Sequence, residues 1–442
     1  MKYILIILIL TLQTNILNAQ LLDTLQFVNW LNRNLVDLEN LDKLQSKKID
    51  SILKTKTIIG LGECVHASKT INEVRIDLSK YLIKNSQFNV VAFEMTFNTG
   101  LKINEYITKG TGDIKKIISE SHFFNNSAEF LEFIEWLRKY NSNSNKEIHF
   151  YGFDIQSNLD INSELISYFN IVDSSAVIYN KLLKSIFEKN GMIKFGDYNQ
   201  VLQDSVYSLI KSSIQKMKKN KTKYILENGY LNYAYNLKKL NIISEYMNML
   251  NSGYAQSMQI RDSCNAELIK WINDFEGEQS KLIIFSHNGH LGKAQRFIPR
   301  VRTLSTDAFY EDYPEKLIMG YWLNKIYADK YYFIGTQFST GDFRGFDPEN
   351  DYELSKLSVS IPMKNSFPYL LSNANKNTYL IDFSFQRSTP RQVINYICSL
   401  QNCYEIGAAY DFKYIKTRLI DYFDAVIYID KVKASKLFEI DK

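Results

Sequence analysis

Short apolar runs alternate with longer helical patterns along most of the chain. Seven such runs, mostly rich in β-branched residues, lie at 57–62, 89–94, 147–152, 281–286, 331–337, 378–383 and 425–429. An uninterrupted apolar run indicates a strand that is buried on both faces, and helices between such strands are typical of a covered parallel sheet. The pattern therefore predicts an α/β fold, with a mostly parallel sheet flanked by helices.

One connection departs from this alternation. More than a hundred residues separate the third run from the fourth, and their periodicity predicts helices at 174–188, 198–218, 221–251 and 254–275, with a break between Asn251 and Gly253. We expect a large helical insertion at about 157–278 that forms a second lobe on the α/β core. A further amphipathic helix is predicted at 22–38, before the first run.

The N-terminus has the pattern of a secretory signal peptide. Lys2 supplies a short basic region, residues 3–12 form an apolar stretch too short to span a bilayer, and small residues end at Ala19. We predict cleavage after Ala19, so that 1–19 is the signal peptide and 20–442 is the exported protein. No later stretch is long and apolar enough for a membrane helix, so we expect no stable membrane span after cleavage.

Composition excludes several classes of protein. The 442 residues include 53 Lys and Arg and 48 Asp and Glu, a formal net charge of +5 without a basic stripe, so no nucleic-acid partner is expected. The four cysteines, Cys64, Cys264, Cys398 and Cys403, lack the spacing of a zinc site or a CxxC motif. In an exported protein Cys398 and Cys403 could pair; the other interpretation is four free thiols.

Acids and imidazoles follow four successive apolar runs. They are Glu63 and His66, then Glu94, then Asp154, then His287, Asn288 and His290. Because ligands bind beyond the carboxyl ends of parallel strands, this placement predicts a titratable cluster at one sheet edge, covered by the helical lobe. Such a cluster can activate water by general base catalysis or hold a metal ion that does so.

Other catalytic motifs are incomplete or missing. Gly60 and Gly62 follow a strand, but Val65 stands where a dinucleotide-binding fingerprint needs its third glycine. The sequence contains no P-loop, no GxSxG elbow and no HExxH motif. A site of histidines and carboxylates is what remains.

The spacing of these segments resembles the erythromycin esterase family. The matching segments are IIGLGECVHASKTINEVRIDLSKYLI at 58–83, NVVAFEMTFN at 89–98, FYGFDIQ at 150–156, the RD of 260–272, and KLIIFSHNGHLGKA at 281–294. The resemblance spans about residues 57 to 345. It implies a parallel α/β lobe with a helical lobe and a site between them. It also implies hydrolysis of a lactone without a covalent intermediate or an obligatory metal, and a periplasmic or secreted location.

The resemblance also assigns roles by position. It puts the acid on Glu63 and the general base on His66, with Glu63 holding the histidine tautomer. Arg75 and His287 would stabilise the developing oxyanion, and Glu94 would position water or orient a histidine. The substrate side would include three further residues: Asn288, His290 and Asp154.

This sequence departs from the family pattern beside the base. Ala67 stands where glycine is usual, Thr70 where glutamate is usual, and Cys64 where a small residue is usual. We therefore expect an ester or lactone hydrolase that acts on a small molecule without a cofactor. A substrate other than a macrolide is expected as readily as a macrolide.

Two alternatives stay open. The first is a metal-dependent hydrolase, with zinc or another divalent ion held by the same cluster of Glu63, His66, Glu94, His287 and His290. The second is an exported protein that binds a ligand without catalysis.

Overall fold

The computed structural model describes residues 25–39, 43–156, 161–174, 200–294, 317–384, 387–408 and 414–438. The predicted signal peptide at 1–19, and nearly all of the helix predicted at 174–188, lie outside these residues. Within them, no helix is both long and apolar enough to cross a bilayer.

The strands are numbered in chain order. They are β1 Val36–Asp37, β2 Ile58–Glu63, β3 Val90–Thr96, β4 His149–Asp154, β5 Leu282–His287, β6 Tyr331–Asp347, β7 Glu353–Val359, β8 Thr378–Asp382, β9 Leu400–Tyr404, β10 Tyr414–Arg418 and β11 Ala425–Val432.

The helices are α1 at 25–34, α2 Lys43–Leu53, α3 Lys69–Asn85, α4 Phe97–Lys109, α5 Ile114–Ser119, α6 Ala128–Asn143 and α7 Ile161–Val172. They continue with α8 Gln200–Lys219, α9 Lys221–Asn228, α10 Tyr230–Leu250, α11 Tyr254–Glu276, α12 Asn288–Leu291, α13 Met319–Tyr327, α14 Phe367–Leu371, α15 Arg391–Cys398 and α16 Leu419–Tyr422. Two short 3₁₀ helices lie at Phe123–Asn125 and Ala328–Lys330.

The chain divides into two compact units. The first contains 1–88, 123–133 and 281–442, and its strands lie in the order β1-β8-β11-β6-β2-β5, with β7 added on β6. In this unit β5, β2, β6 and β11 pair in parallel, whereas β1, β7 and β8 pair antiparallel. The register sets Glu63 opposite His287, so the ends of β2 and β5 lie side by side.

The second unit contains 89–122 and 134–280. Its strands β3 and β4 pair in parallel, and a register shift between Phe93 and Thr96 leaves Thr96 opposite Asp154. Apart from the part of α6 that lies before residue 134, helices α4 to α11 belong to this unit. The predicted fold class is confirmed: an α/β protein with a mostly parallel sheet flanked by helices. The boundaries of the helical lobe, at about 157–278, stay a prediction.

Local predictions were corrected at two places. The single helix predicted at 221–251 is wrong, because Gly229 adopts a φ of 80° and separates α9 from α10. A left-handed residue ends a helix, and glycine adopts that conformation without steric cost. The N-terminal helix is also shorter than predicted, since it ends at residue 34 and Val36–Asp37 pairs with β8. The break predicted between Asn251 and Gly253 is confirmed.

All four cysteines are free thiols in the structure, which is the second of the two interpretations that the sequence left open. Cys398 ends α15 and is exposed, whereas Cys403 is fully buried in β9.

Helix α4 packs directly on β4 through glycines. A Cβ on Gly100 would clash with the backbone of Tyr151 and Gly152, far inside van der Waals contact. Gly100→Ala is expected to lower the free energy of unfolding by about 1–3 kcal/mol, as overpacking does, measured by urea unfolding. Gly253→Ala is the matched control, because nothing lies within 4 Å of its added Cβ. Equal stability of the two variants would contradict this packing.

Candidate active site

Strand β2 carries the first acidic residue of the site. Every residue of β2 is buried, which agrees with its apolar sequence, and Glu63 stands at its carboxyl end. Gly62 allows this strand to pack closely, because a Cβ there would clash with Asn288 and Phe333. The backbone therefore delivers a carboxylate to a fixed place at the edge of the sheet.

Glu63 is held between a histidine and an arginine. His66 Nδ1 lies 2.5 Å from Glu63 Oε1, and Arg75 pairs with the second carboxylate oxygen. Arg75 also donates to the Leu61 carbonyl at 3.1 Å, which aligns it with β2. Burial by itself raises the pKa of Glu63, but the Arg75 charge and the His66 hydrogen bond together hold that pKa below its usual value.

An ionised Glu63 determines the tautomer of His66. A carboxylate only accepts hydrogen bonds, so Nδ1 of His66 carries the proton and Nε2 of the neutral ring carries the lone pair. The predicted pairing of Glu63 with His66 is therefore present. The predicted Arg75 also belongs to this cluster, where its guanidinium faces Glu63.

Aromatic rings surround His66. Phe124 stacks on the imidazole at 4.4 Å with 14° between the planes, and Phe123 meets it edge-on at 6.3 Å. The His287 ring lies 4.9 Å away, and only 6% of His66 is exposed. These contacts leave the imidazole little rotational freedom.

Ala67, the residue after His66, has an unusual backbone conformation. Ala67 adopts a φ of 48°, in the left-handed region that favours glycine. Its carbonyl accepts hydrogen bonds from the backbone of Ser435 at 3.0 Å and of Arg344 at 3.3 Å. The turn after His66 therefore has the geometry that suits the glycine usual in the family, although alanine stands here.

His287 is neutral and tied to the backbone. Its Nδ1 accepts from Gly289 N at 3.1 Å, and its Nε2 lies 3.2 Å from the Ile406 carbonyl, so Nε2 carries the proton. Burial, followed by repulsion from His66, lowers the pKa of His287 to about 4. An oxyanion role, as predicted for His287, requires its Nε2–H to leave Ile406.

The two neighbours of His287 in the motif differ in their surroundings. Asn288 is fully buried and pairs with the Thr336 backbone in both directions, at 3.1 and 3.3 Å. These bonds join the end of β5 to β6. His290 is half-buried in the short helix α12. Their predicted contact with substrate stays a prediction.

Glu94 and Asp154 form a second charged cluster, within the second unit. Arg261 donates to both oxygens of Asp154, at 2.9 and 2.7 Å, and to Glu94 at 2.9 Å. Asn265 adds a bond to Asp154 at 3.4 Å. Burial opposes ionisation of Asp154, but Arg261 holds the pKa of that carboxyl below its usual value.

The donor set of the cluster formed by Glu63, His66 and Arg75 does not suit a metal cation. Glu63 already faces the Arg75 guanidinium, which would repel a metal ion at the same carboxylate. In the part of the chain that the structure describes, no group of three or more His, Cys, Asp and Glu side chains is arranged to hold a metal. Burial raises the pKa of the neighbouring Cys64 to about 12, so this thiol stays protonated.

Several residues of these clusters escaped the sequence analysis. Phe124 and Glu129 do not follow a strand, and Glu405 lies beyond the last motif. All three nevertheless belong to the first unit and lie near the cluster of Glu63, His66 and Arg75. Glu405 is buried and accepts from the Tyr422 hydroxyl at 3.2 Å. Arg261 belongs to a matching segment, but only its spacing to Asn265 on one helix face signals a role.

The chain is similar to known proteins in sequence and in fold. The chain is similar to erythromycin esterase type II of Escherichia coli, with 23% identity over 424 residues that cover 88% of this chain and 93% of that protein. A Bacillus cereus protein of known structure superposes with a TM-score of 0.80 at 21% identity, covering 94% of this chain and 99% of the other.

A mutant of the erythromycin esterase EreC in its open conformation superposes with a TM-score of 0.68 at 15% identity, covering 92% of this chain and 99% of the other. The model of the family described as erythromycin esterase matches residues 83–432, which is most of the chain. This chain belongs to the erythromycin esterase family.

Proposed function

We propose that this protein hydrolyses a carboxylic ester or lactone with water that His66 activates. The observation that carries the proposal is the buried arrangement of His66, Glu63 and Arg75, in which an ionised carboxylate holds the imidazole in one tautomer. Family membership supports a hydrolase of this type. The substrate is a small molecule.

His66 serves both as the base that takes the proton and as the acid that returns it. Nε2 of His66 takes a proton from water while the water oxygen attacks the ester carbonyl carbon, and Glu63 stabilises the imidazolium that forms. The tetrahedral intermediate then expels the alcohol oxygen, which takes the proton back from His66. The products are a carboxylic acid and an alcohol, joined in one molecule when the substrate is a lactone.

Arg75 acts on Glu63 in this proposal. Its side chain is 4% exposed, and it donates to Glu63, Leu61 and Asn72. It keeps the carboxylate ionised, so that Glu63 stays an acceptor for His66 through the cycle. Direct contact of Arg75 with the oxyanion is therefore not needed for its role.

The surroundings of His66 favour an apolar group next to the scissile bond. Phe123 and Phe124 are half-buried beside the imidazole, and Phe123 packs on Phe346 at 5.2 Å. Aromatic walls suit the hydrocarbon part of a lactone or ester. Two Escherichia coli relatives, erythromycin esterases type I and type II, are named for an ester substrate of this class.

Turnover is expected to survive removal of metal ions. Purified residues 20–442 would be treated with a chelator and then given erythromycin and a panel of simpler lactones and esters, with mass gain of one water as the readout. Because His66 supplies the base, the chelated protein should keep its full rate. Loss of activity on chelation, restored by zinc, would contradict the proposal and favour a metal-dependent hydrolase.

Export completes the proposal. Sequencing the N-terminus of the protein recovered outside the cytoplasm should find Gln20 as its first residue if cleavage follows Ala19. A mature chain that begins at Met1 would contradict the predicted signal peptide.

A further inference from the structure

A buried carboxylate lies behind the Glu63–His66 pair. Glu129 is the second residue of α6, only 5% of it is exposed, and it lies in the same unit as His66. Its Oε1 accepts from Asn72 Nδ2 at 3.2 Å and from the Ser435 hydroxyl. Two segments distant in sequence therefore hold this acid in place.

Asn72 transmits the position of Glu129 to Arg75. Because a carboxylate only accepts, the amide nitrogen of Asn72 must face Glu129, and its Oδ1 then faces Arg75 Nη2 at 2.5 Å. Arg75 donates in turn to Glu63, which accepts from His66. One orientation of the Asn72 amide satisfies both of its neighbours.

The network of Glu129, Arg75 and Glu63 that ends at His66 carries a net negative charge. Two carboxylates and one guanidinium carry a formal charge of −1 while His66 is neutral and zero when it is protonated. In buried surroundings such interactions are stronger than in water. Other titratable groups in the described part of the chain are the neutral His287, with Glu405 and His290 beyond that ring. Arg344 is a further cation there: its backbone donates to the Ala67 carbonyl and its side chain donates to the Ser435 carbonyl.

We propose that Glu129, acting through Asn72 and Arg75, is a positioning residue that orients Glu63 and makes His66 a stronger base. The kinetic consequence rests on the hydrolysis proposed above. The effect on the proton affinity of His66 does not, and can be measured without a substrate.

Glu129→Gln is the first test. This change keeps the shape and one acceptor, and Oε2 of Glu129 has no hydrogen-bond partner among the described residues, so an amide nitrogen there breaks no existing bond. Loss of the charge should move the acidic limb of the kcat/KM profile to lower pH. At neutral pH kcat should fall about threefold to tenfold with KM within about twofold, as expected of a weaker base.

NMR provides the readout that needs no substrate. The imidazole of His66, assigned by its absence in His66→Ala, should titrate at lower pH in Glu129→Gln than in the wild type. Glu132→Gln is the matched control, because it removes the same charge from an exposed position of the same helix. It should leave both the titration and the profile in place.

A double variant tests the path through Asn72. Asn72→Asp alone sets two carboxylates against each other and should move the acidic limb to higher pH. Combined with Glu129→Gln, it restores a donor facing an acceptor and the original charge, so the wild-type limb and kcat should return.

Two results would overturn the inference: an unshifted His66 titration in Glu129→Gln, or a double variant no better than its parents. If no ester were hydrolysed, the function proposed above would fail, and the NMR titration would still decide the role of Glu129.

Discussion

Replacing His66 with alanine is expected to lower kcat about 10²- to 10⁴-fold, which is the usual contribution of a general base. The loss should be large because Nε2 of this ring is the lone pair that the Glu63 hydrogen bond prepares. The measurement is single-substrate kinetics on whichever ester or lactone gains one water with the wild-type protein. KM should change far less than kcat, since the proton is moved in the transition state.

Rescue by free imidazole distinguishes a catalytic role of His66 from a structural one. The alanine variant leaves a space beside Phe124, and free imidazole in solution should fill that space and restore part of the rate. Thermal unfolding of the variant provides the check that the fold survives. Activity within tenfold of the wild type, or a loss that imidazole does not relieve in a folded variant, would contradict the assignment of the base.

Replacing Arg261 with methionine is expected to lower the free energy of unfolding by about 3–5 kcal/mol at pH 7, the usual cost of breaking a buried ion pair. The variant leaves Asp154 and Glu94 buried without the guanidinium that bonds to both. Urea unfolding measures the change. Arg418→Met is the control, because Arg418 and Asp421 are exposed at a separation of 3.4 Å, and such a pair contributes about 1 kcal/mol or less.

The loss of unfolding free energy caused by Arg261→Met should become smaller as pH falls. The pKa of Asp154 is lowered in the folded protein, so this carboxylate contributes stability above its unfolded pKa, and the contribution is lost as pH falls through the folded value. The stability gap between wild type and variant should therefore narrow as pH falls toward the lowered pKa of Asp154, because without Arg261 the buried carboxyl of the variant takes up a proton first. A gap that stays constant from pH 7 to pH 3 would show that the charge pairing of Arg261 is not its source.

The strands that matter for the site were predictable from local pattern. Continuous apolar runs mark β2, β3, β4 and β5, because a strand buried on both faces excludes polar side chains along its whole length. The residues after these runs are therefore the acids and imidazoles that we proposed as site candidates. Short or edge strands were missed, since β7 alternates exposed and half-buried positions and carries no continuous apolar run.

Partner choice was less predictable. Glu94 pairs with Arg261, which lies 167 residues away along the chain, and no local pattern indicates this pair. Hydrogen-bond partners depend on which helices pack on a strand end, and a single sequence does not encode that distance directly. The tautomer of His287 likewise depends on the Ile406 carbonyl, from a segment without a motif.

The sequence by itself determined the α/β class, the main strands and the pairing of Glu63 with His66 three residues later, because strand burial and short loops act over a few residues. Only the tertiary structure decided that Phe124 stacks on His66 and that Arg75 faces Glu63. The same is true of the hydrogen bonds by which Ser435 and Asn72 hold Glu129. These contacts join parts of the chain that no local periodicity connects. Burying charged groups costs free energy unless they are paired and hydrogen-bonded, so these contacts form only where the folded chain brings complementary partners together.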